Sequence, residues 1–469
     1  MTATERAGRG RLFRQGLFRQ RRRTNMEFDT GETSKGLLPH EPRASHGDAA
    51  RPVQGNAGDH KLVHALLRAA NQAPSYEEFL AWLDEPSYEP TDRLLIKLAG
   101  QIIAHVQVLG RVAWFSGVKL PVGGIEGLVT LPEYRDVGYE RQLLAAAEQA
   151  IRNSQAVLAF ARTDRRDVLR ACGWSEVGRP RYTEANVNEV LARLASPSVV
   201  LPSARRVKPL RIRLWRQVEL DALIDVYRRS AADTWGALDR SEAYWRWLVG
   251  RKAHDELIVA IHGRDNWDML ETPAHIVGYA VTRGSQVIEL ATLPKYRRAA
   301  HPLLARACQD AIERDHHTIS LHIPATDGLH ELLLSAGGSW STSGRSGSTR
   351  LVKLLDPARW IENMYEVLLK RARAAGLTRP LTLTFDTGRR KYRLELTRRS
   401  GHLIRDDAAN ADVTCTPEML GALLLGNVDV AAAQQSGQIM IRDERMVTRL
   451  AALFPRTKFW QSQLDSPRC

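Results

Sequence analysis

Beyond residue 57, apolar residues follow first the spacing of helices and then that of strands. Those after His60 recur three or four residues apart, which predicts a helix. Ser75, with Glu78 three residues later, forms a capping box and predicts the start of a second helix. Apolar, β-branched runs at 93–98 and 102–109 are separated by Ala-Gly-Gln, which predicts a β-hairpin. The pattern indicates a mixed α/β domain.

The same succession of elements occurs twice along the chain. A strand, a helix and a further strand are predicted within residues 125–161, and an equivalent series within residues 287–323. Residues 130–135 share five of six identities with residues 292–297, at an offset of 162. Because the order of elements around this motif is also shared, the sequence predicts two tandem copies of one α/β domain.

The segments between and after the two copies have different patterns. Residues 180–210 contain four prolines and show weak periodicity, which predicts a linker, although 187–194 would suit a short helix. Alternating apolar residues at 381–386 and 391–397, joined by Thr-Gly and flanked by helical patterns, predict a hairpin. The last part of the chain is therefore expected to be a small α+β domain.

The positive charge of the chain is concentrated near its start. The 469 residues include 67 Lys and Arg against 53 Asp and Glu, a formal net charge of +14. Half of that excess lies in residues 1–25, which hold eight arginines and one glutamate. We expect residues 1–57 to form a disordered basic leader, with Met26 as a second candidate initiator; a transit peptide is the alternative. Since the remainder is only mildly basic, a nucleic-acid partner is disfavoured.

Other compositional signals narrow the class of protein. The four cysteines are widely spaced and form no C-x-x-C pair, which excludes a zinc ribbon, a thioredoxin-type motif and a disulfide scaffold. The histidines at 316, 317 and 322 lack the spacing of metal ligands, so no metal is predicted. No apolar run approaches the roughly 18 residues that a membrane helix needs. We therefore expect a cytoplasmic protein with no membrane partner.

The candidate chemistry lies where the strand near residue 130 gives way to a helix. A helix N-terminus presents unpaired amide groups and the positive end of the helix dipole, and can cradle a pyrophosphate. Gly138 permits close approach of the backbone, and Arg135 adds a positive charge. The predicted loop consists of Arg135, Asp136, Val137, Gly138, Tyr139, Glu140 and Arg141.

This loop resembles that of the GNAT acetyltransferases, which reads R/Q-x-x-G-x-G/A between a strand and a helix. The sequence has Arg135-x-x-Gly138-x-Glu140, so the third small residue is missing. The resemblance implies acetyl-CoA as co-substrate and direct attack of an amine on its thioester in a ternary complex. It also implies that backbone amides of the preceding strand, those of Leu128, Val129 and Thr130, polarise the thioester carbonyl.

In the second copy, Ala300 stands where Gly138 stands in the first, and Pro302 removes an amide donor. The second copy is therefore expected to bind no CoA and to shape the acceptor site instead. Tyr244, Trp245 and Trp247, on a predicted helix of this copy, would either pack in its core or line that acceptor site.

The whole chain resembles the enhanced intracellular survival (Eis) family, which has two GNAT-like domains followed by a sterol-carrier-like domain. Residues 411–414, 423–426 and 436–439 carry the resemblance to the third domain. The predicted fold class is therefore α/β plus α+β, and the family resemblance implies a homo-oligomer, a hexamer. The expected parts are a leader at 1–57, a CoA-binding GNAT domain at 58–205, a degenerate GNAT domain at 206–355, a sterol-carrier-like domain at 356–460 and a tail at 461–469.

Candidates for proton transfer follow from the same resemblance. Glu126 lies four residues before Thr130 on the same strand face and is a candidate general base, or else a solvated carboxylate at the strand end. Trp174 stands at the family's general-acid position, but an indole is not a usable acid, so Trp174 is expected to pack. The family's C-terminal carboxylate would correspond to that of Cys469. Weaker substitutes for the acid are Tyr139, Tyr182 and Cys172.

These observations predict an acetyl-CoA-dependent N-acetyltransferase. The acceptor is left open among an aminoglycoside-like polyamine, a peptide amine and a lysine. The alternative is a non-catalytic acyl-CoA- or lipid-binding module, which the incomplete loop and the missing tyrosine would suit. A serine hydrolase is disfavoured because no G-x-S-x-G motif occurs.

Overall fold

The computed structural model of the protein describes residues 50–196, 210–263, 275–342 and 349–466. Most of the predicted leader, residues 1–49, lies outside these ranges. The first part of the chain contains β1 (Val53–Gln54), α1 (His60–Ala69), α2 (Tyr76–Leu83), β2 (Arg93–Leu98), β3 (Gln101–Phe115), β4 (Val118–Thr130), α3 (Tyr139–Asn153), β5 (Leu158–Thr163), α4 (Arg166–Ala171), β6 (Ser175–Gly178), β7 (Arg181–Asn186) and α5 (Val187–Ala195).

The middle part begins after the gap at 197–209. It contains β8 (Arg211–Leu214), α6 (Leu220–Ala231), α7 (Glu242–Gly250), β9 (Glu256–Ile261), β10 (Ile276–Arg283), β11 (Gln286–Thr292), α8 (Ala300–Glu313), β12 (Thr318–Leu321), α9 (Leu329–Ser335), β13 (Ser339–Thr342) and β14 (Thr349–Leu354). The last part contains α10 (Pro357–Asn363), α11 (Tyr365–Ala374), β15 (Leu381–Asp386), β16 (Lys391–Leu396), β17 (Gly401–Arg405), β18 (Val413–Cys415), α12 (Pro417–Leu424), α13 (Val430–Gln435), β19 (Ile439–Ile441) and α14 (Glu444–Leu453).

Two seven-stranded sheets carry the duplicated domains. The first has the order β1-β2-β3-β4-β5-β14-β6, and the second has the order β13-β7-β12-β11-β10-β9-β8. In each sheet an antiparallel hairpin is followed by a helix and then by a parallel strand, as β3-β4-α3-β5 and as β10-β11-α8-β12. The predicted duplication and the predicted α/β class are therefore confirmed.

The two sheets exchange one strand each. β7 follows the first copy in sequence, yet it pairs with β12 and β13 in the second sheet. β14 follows the second copy, yet it pairs with β5 and β6 in the first sheet. Because each inserted strand is hydrogen-bonded on both sides, the two copies are held together by backbone ladders as well as by side-chain packing. The domain boundaries near residues 205 and 355 stay predictions.

Parts of two stretches predicted to be irregular are regular instead, and the helix that 187–194 suited is present as α5. The predicted linker at 180–210 contains β7 and α5 in its first half, and its prolines at 197, 202 and 209 lie in the undescribed gap at 197–209. The predicted leader also ends earlier than residue 57, since Val53 and Gln54 pair with β2. Both errors have one cause: a short edge or inserted strand gains its stability from partners distant in sequence, which local periodicity does not reveal.

The last domain has a five-stranded sheet of order β17-β16-β15-β18-β19 and matches the predicted α+β pattern, including the hairpin β15–β16. Its helix α10 packs against the tip of the β3–β4 hairpin of the first domain. There the rings of Phe115, Trp235 and Trp360 meet edge to face, with centroids 5.2 to 5.8 Å apart. Each of the three parts of the chain contributes one of these rings, so aromatic packing fixes their mutual position.

Candidate active site

The loop between β4 and α3 has the geometry of an anion-binding turn. A short 3-10 helix, Pro132–Tyr134, follows β4, and the chain then enters the left-handed region at Asp136 (φ 64°) and Gly138 (φ 101°). A Cβ atom at Gly138 would meet nothing within 4 Å, so open space lies in front of the backbone here. The amide groups of residues 136–141 donate no hydrogen bond to any residue that the structure describes.

The helix α3 is held close to the sheet that carries this loop. At Gly123, in the middle of β4, a Cβ atom would lie 2.3 Å from the Ile151 side chain of α3. Only glycine permits this approach, and it sets the helix directly over β4. The N-terminus of α3 follows the end of β4 through the short turn at 132–138, whose residues 135–137 are exposed.

Glu140 occupies the position where the GNAT loop has a small residue. Its side chain is buried, and the Arg165 guanidinium lies 2.8 Å from its carboxylate, Nη2 to Oε2. This hydrogen bond raises the pKa of Arg165 above its usual value. The ion pair neutralises a carboxylate that would otherwise lie uncompensated at this helix N-terminus. Arg135 and Arg141 remain exposed beside it.

A gap opens in the first sheet next to the loop. β4 and β5 pair only from Val122 to Ile125 on the β4 side, and β4 then runs on to Thr130 without that partner. The Leu131 amide donates to Ile103 of β3 at 2.9 Å. Since successive amides of an antiparallel strand point to opposite sides, the Thr130 and Leu128 amides face the gap. The Thr130 hydroxyl is also buried there without a hydrogen-bond partner among the described residues.

A buried network shapes β4 beside this gap. Arg93 Nη1 lies 2.9 Å from His105 Nε2, and His105 Nδ1 lies 2.8 Å from the Gly127 carbonyl oxygen. A guanidinium only donates, so Nε2 accepts and Nδ1–H donates to Gly127. Burial, followed by the charge of Arg93, lowers the pKa of His105 to about 3. The neutral imidazole thereby fixes the bulge at Gly127, immediately after Glu126. The sequence offered one signal for it, an Arg and a His within apolar strand patterns.

A central pocket lies on the face of the first sheet at the same gap. Its charged lining residues are Glu85, Arg111, Glu126, Arg162, Arg350 and Asp465, and its aromatic lining residues are Trp82, Phe160, Tyr244, Trp247 and Phe459. Glu126, predicted as a possible base, therefore lies in the wall of a pocket where the two sheets meet. Tyr244 and Trp247 line the pocket as well as packing, whereas Trp245 is fully buried in the core.

Asp465 is a carboxylate in this pocket that the sequence did not single out. Arg240 binds it with Nε at 2.8 Å and Nη2 at 3.0 Å, and the same guanidinium holds Glu289 at 2.6 Å. All three side chains are almost completely buried. Burial raises the pKa of Asp465, against the lowering effect of Arg240. Of the predicted tail at 461–469, the structure describes residues 461–466, which Asp465 anchors and which form one wall of the pocket.

The remaining predicted site residues lie elsewhere or outside the described chain. Trp174 is 2% exposed, and its indole N–H donates to Glu148 at 2.8 Å. Lys353 also binds the Glu148 carboxylate, at 2.7 Å. Trp174 does not line the central pocket. Cys469 lies outside the described residues. Burial raises the pKa of Cys172, and Tyr182 stacks on a histidine of the second sheet.

The equivalent loop in the second copy has a different geometry. A 3-10 helix, Pro294–Ala299, runs directly into α8, and the amide of Ala300 is already bonded to carbonyl groups of this turn. Pro302 supplies no amide. The two loops therefore differ in their amide pairing, and the expectation that the second copy binds no CoA stays a prediction.

Neither a metal cluster nor a membrane span is found in the described residues. No group of three or more His, Cys, Asp or Glu side chains within them is arranged to hold a metal ion. Among the helices in those same ranges, none is both long and apolar enough to cross a membrane.

Comparison with protein families identifies two domains. Residues 51–177 match the model described as "Acetyltransferase (GNAT) domain", and residues 380–462 match the model described as "Sterol carrier protein domain". No curated protein is significantly similar to the chain in sequence. The chain therefore contains a GNAT acetyltransferase domain, of the acyl-CoA-using acyltransferase class, and a C-terminal sterol carrier protein domain.

Solved structures with the same fold cover nearly the whole chain. A GCN5-related N-acetyltransferase from Anabaena variabilis superposes with a TM-score of 0.66 at 13% identity, covering 88% of this chain and 99% of its own. One from Kribbella flavida gives 0.65 at 16%, with coverages of 89% and 98%. Eis1 from Mycobacterium abscessus gives 0.60 at 15%, with coverages of 88% and 99%. The chain thus has the Eis-like architecture, and the predicted resemblance and fold class are confirmed.

Proposed function

We propose that the protein is an acetyl-CoA-dependent N-acetyltransferase that acts on an amine bound in the central pocket. The observation that carries this proposal is the set of unpaired amides at residues 136–141, set beside the gap between β4 and β5. Such amides suit a pyrophosphate, and Arg135 and Arg141 complement its charge. The gap leads from this loop towards the central pocket, which offers room for an acceptor.

Acetyl-CoA would supply the acetyl group as a thioester. The amides of Leu128 and Thr130, which face the gap, would hold the thioester oxygen as negative charge develops on it. The attacking amine forms the new C–N bond as the C–S bond breaks. The amine must pass a proton to a base, and the leaving thiolate takes one up.

Two carboxylates of the pocket suit the role of base. Glu126 lies at the point where β4 leaves β5, closest to the gap along the strand. Asp465 lines the same pocket, and burial raises the pKa of its carboxyl against the lowering effect of Arg240, so its carboxylate is a stronger proton acceptor than a solvated one. The Cys469 carboxylate remains the base that the family resemblance implies.

The test is release of free thiol from acetyl-CoA by the full chain with a panel of amines. We expect turnover with at least one amine and a loss of about 10²–10⁴-fold in kcat on removal of the true base. Glu126→Gln and Asp465→Asn are compared with Glu133→Gln, an exposed loop carboxylate, as matched control. The acidic limb of the pH profile should disappear only in the variant that lacks the base.

The proposal fails if CoA binds tightly and no amine is acetylated. That result would favour the acyl-CoA- or lipid-binding alternative.

The Eis-like architecture also supports a homo-oligomer, a hexamer in that family, and a cytoplasmic location. Light scattering of the purified chain tests the first, and fractionation of the producing cell tests the second.

A further inference from the structure

A second cavity, the basic cleft, lies where the exchanged strands cross from one sheet to the other. It is separate from the loop at 136–141, none of whose residues lines it. Its cationic lining residues are Arg179, Arg181, Arg350, Arg456 and Lys458. Neither an aspartate nor a glutamate is among the described residues that line it. The cleft therefore concentrates positive charge against low-dielectric walls.

These cations lack carboxylate partners in the described chain. None of the five forms an ion pair with a described Asp or Glu. Lys458 donates only to the Ala325 carbonyl, at 3.2 Å, and Arg181 lies over the Trp340 ring at 4.6 Å. The nearby His322 is neutral, because burial and then the charge of Arg283 lower its pKa to about 4.

Arg350 is the innermost of these cations. It lies on β14 opposite Arg162 of β5 and lines both the basic cleft and the central pocket. Burial, followed by the charge of Arg162, lowers the pKa of Arg350 to about 10. A guanidinium placed in a wall without a counter-ion carries a desolvation cost that an anion would relieve. Beside it, Gln461 Nε2 is buried with no partner among the described residues and also lines both cavities.

We propose that the basic cleft binds an anionic group, a phosphate or a carboxylate, held by Arg350 with support from Lys458 and the Gln461 amide. Arg350 offers the planar, forked donor set that fits such groups in a bidentate manner. The group has two possible sources. It belongs either to the amine acceptor, whose amine then lies in the central pocket, or to a separate small anion. The former case rests on the proposed function; the site itself does not.

Calorimetric titration of the full chain with inorganic phosphate and with pyrophosphate, at constant ionic strength, tests the site without any turnover. We expect Arg350→Gln to weaken binding at least about tenfold, since one charged hydrogen-bond donor is lost. Lys458 is exposed, so Lys458→Gln should weaken phosphate binding without affecting folding. Arg166→Gln, an exposed arginine away from both cavities, should leave it unchanged.

The loop at 136–141 also binds anions in the proposed function, so Arg135→Gln is included. The proposal is overturned if phosphate binding weakens only in Arg135→Gln. It is also overturned if binding is unchanged in both Arg350→Gln and Lys458→Gln. The source is separated by comparing 6-aminohexyl phosphate with 6-amino-1-hexanol as acceptors. A preference for the phosphate ester that Arg350→Gln abolishes identifies the acceptor's own group. Phosphate binding at the cleft without such a preference identifies a separate anion.

Discussion

Replacing Arg165 by alanine should weaken acetyl-CoA binding by exposing the charge of Glu140. In the protein this carboxylate lies at the N-terminus of α3 and is neutralised by Arg165 at 2.8 Å. Where the GNAT loop has a small residue, this chain has an ion pair. If the guanidinium is removed, a negative charge is left next to the amides that would receive the pyrophosphate.

The size of this effect can be worked out for a phosphate bound close to the amides of the loop. At about 6 Å between the carboxylate and a phosphate oxygen, and with an effective dielectric constant of about 20–40, the repulsion is about 1.4–2.8 kcal/mol. That corresponds to a rise of roughly ten- to a hundredfold in the Kd and KM for acetyl-CoA. Because the Debye length is about 8 Å at 0.15 M salt, the effect should shrink at higher ionic strength.

The assay is calorimetric titration with CoA at two salt concentrations, together with the KM for acetyl-CoA. The double variant Glu140→Ala with Arg165→Ala removes both charges and should recover most of the affinity. Arg166→Ala, the exposed neighbouring arginine, is the control. The reasoning is refuted if Arg165→Ala changes the affinity less than twofold, or if the double variant is as weak as the single one. Thermal unfolding separates a folding defect, since Glu140 is buried.

Three further predictions concern titration and packing. The pKa of His105 is about 3 in the folded protein and about 6.5 in the unfolded chain, so the free energy of unfolding should fall as pH falls below about 6.5. His105→Gln keeps a donor and an acceptor and should reduce this fall. Urea titrations at pH 5 and 7 measure it. Burial and the charge of Glu256 raise the pKa of Asp310 to about 6. The protonated Asp310 therefore contributes stability that is lost as pH rises through that value. The Tm of Asp310→Asn should vary less between pH 4 and 7 than the Tm of the unmodified protein. Trp174→Phe should cost about 1 kcal/mol by removing the indole bond to Glu148 and leave kcat within twofold; a tenfold fall in kcat would contradict the packing role.

Much of the fold could be predicted because its signals are local. The capping box at Ser75 and Glu78 is present with both hydrogen bonds, at 3.1 and 3.0 Å. The hairpins, the helix after Gly138 and the repeated motif were also visible in spacing alone. The exchange of β7 and β14 was not, because a strand inserted between distant partners has the same local pattern as any other strand.

The candidate site divides in the same way. The loop at 136–141 depends on residue types in consecutive positions, so the sequence indicated it directly. Asp465 and Arg350 were not indicated, because their surroundings depend on residues more than 150 positions away. Asp465 is held by Arg240, and Arg350 lies opposite Arg162. A charged side chain in a sequence carries no sign of its partners in the fold. Asp465 is paired with Arg240, whereas Arg350 has no carboxylate partner among the residues that the structure describes.

The sequence by itself determined the order of the domains, the duplication and the loop whose unpaired amides could receive an anion. These depend on periodicity and on local backbone geometry, which neighbouring residues specify. Only the tertiary structure decided which strands complete each sheet, which carboxylates enter the central pocket and where the basic cleft lies. Those features arise from side chains brought together by long-range packing, where burial changes the energy of a charge far more than its place in the chain does.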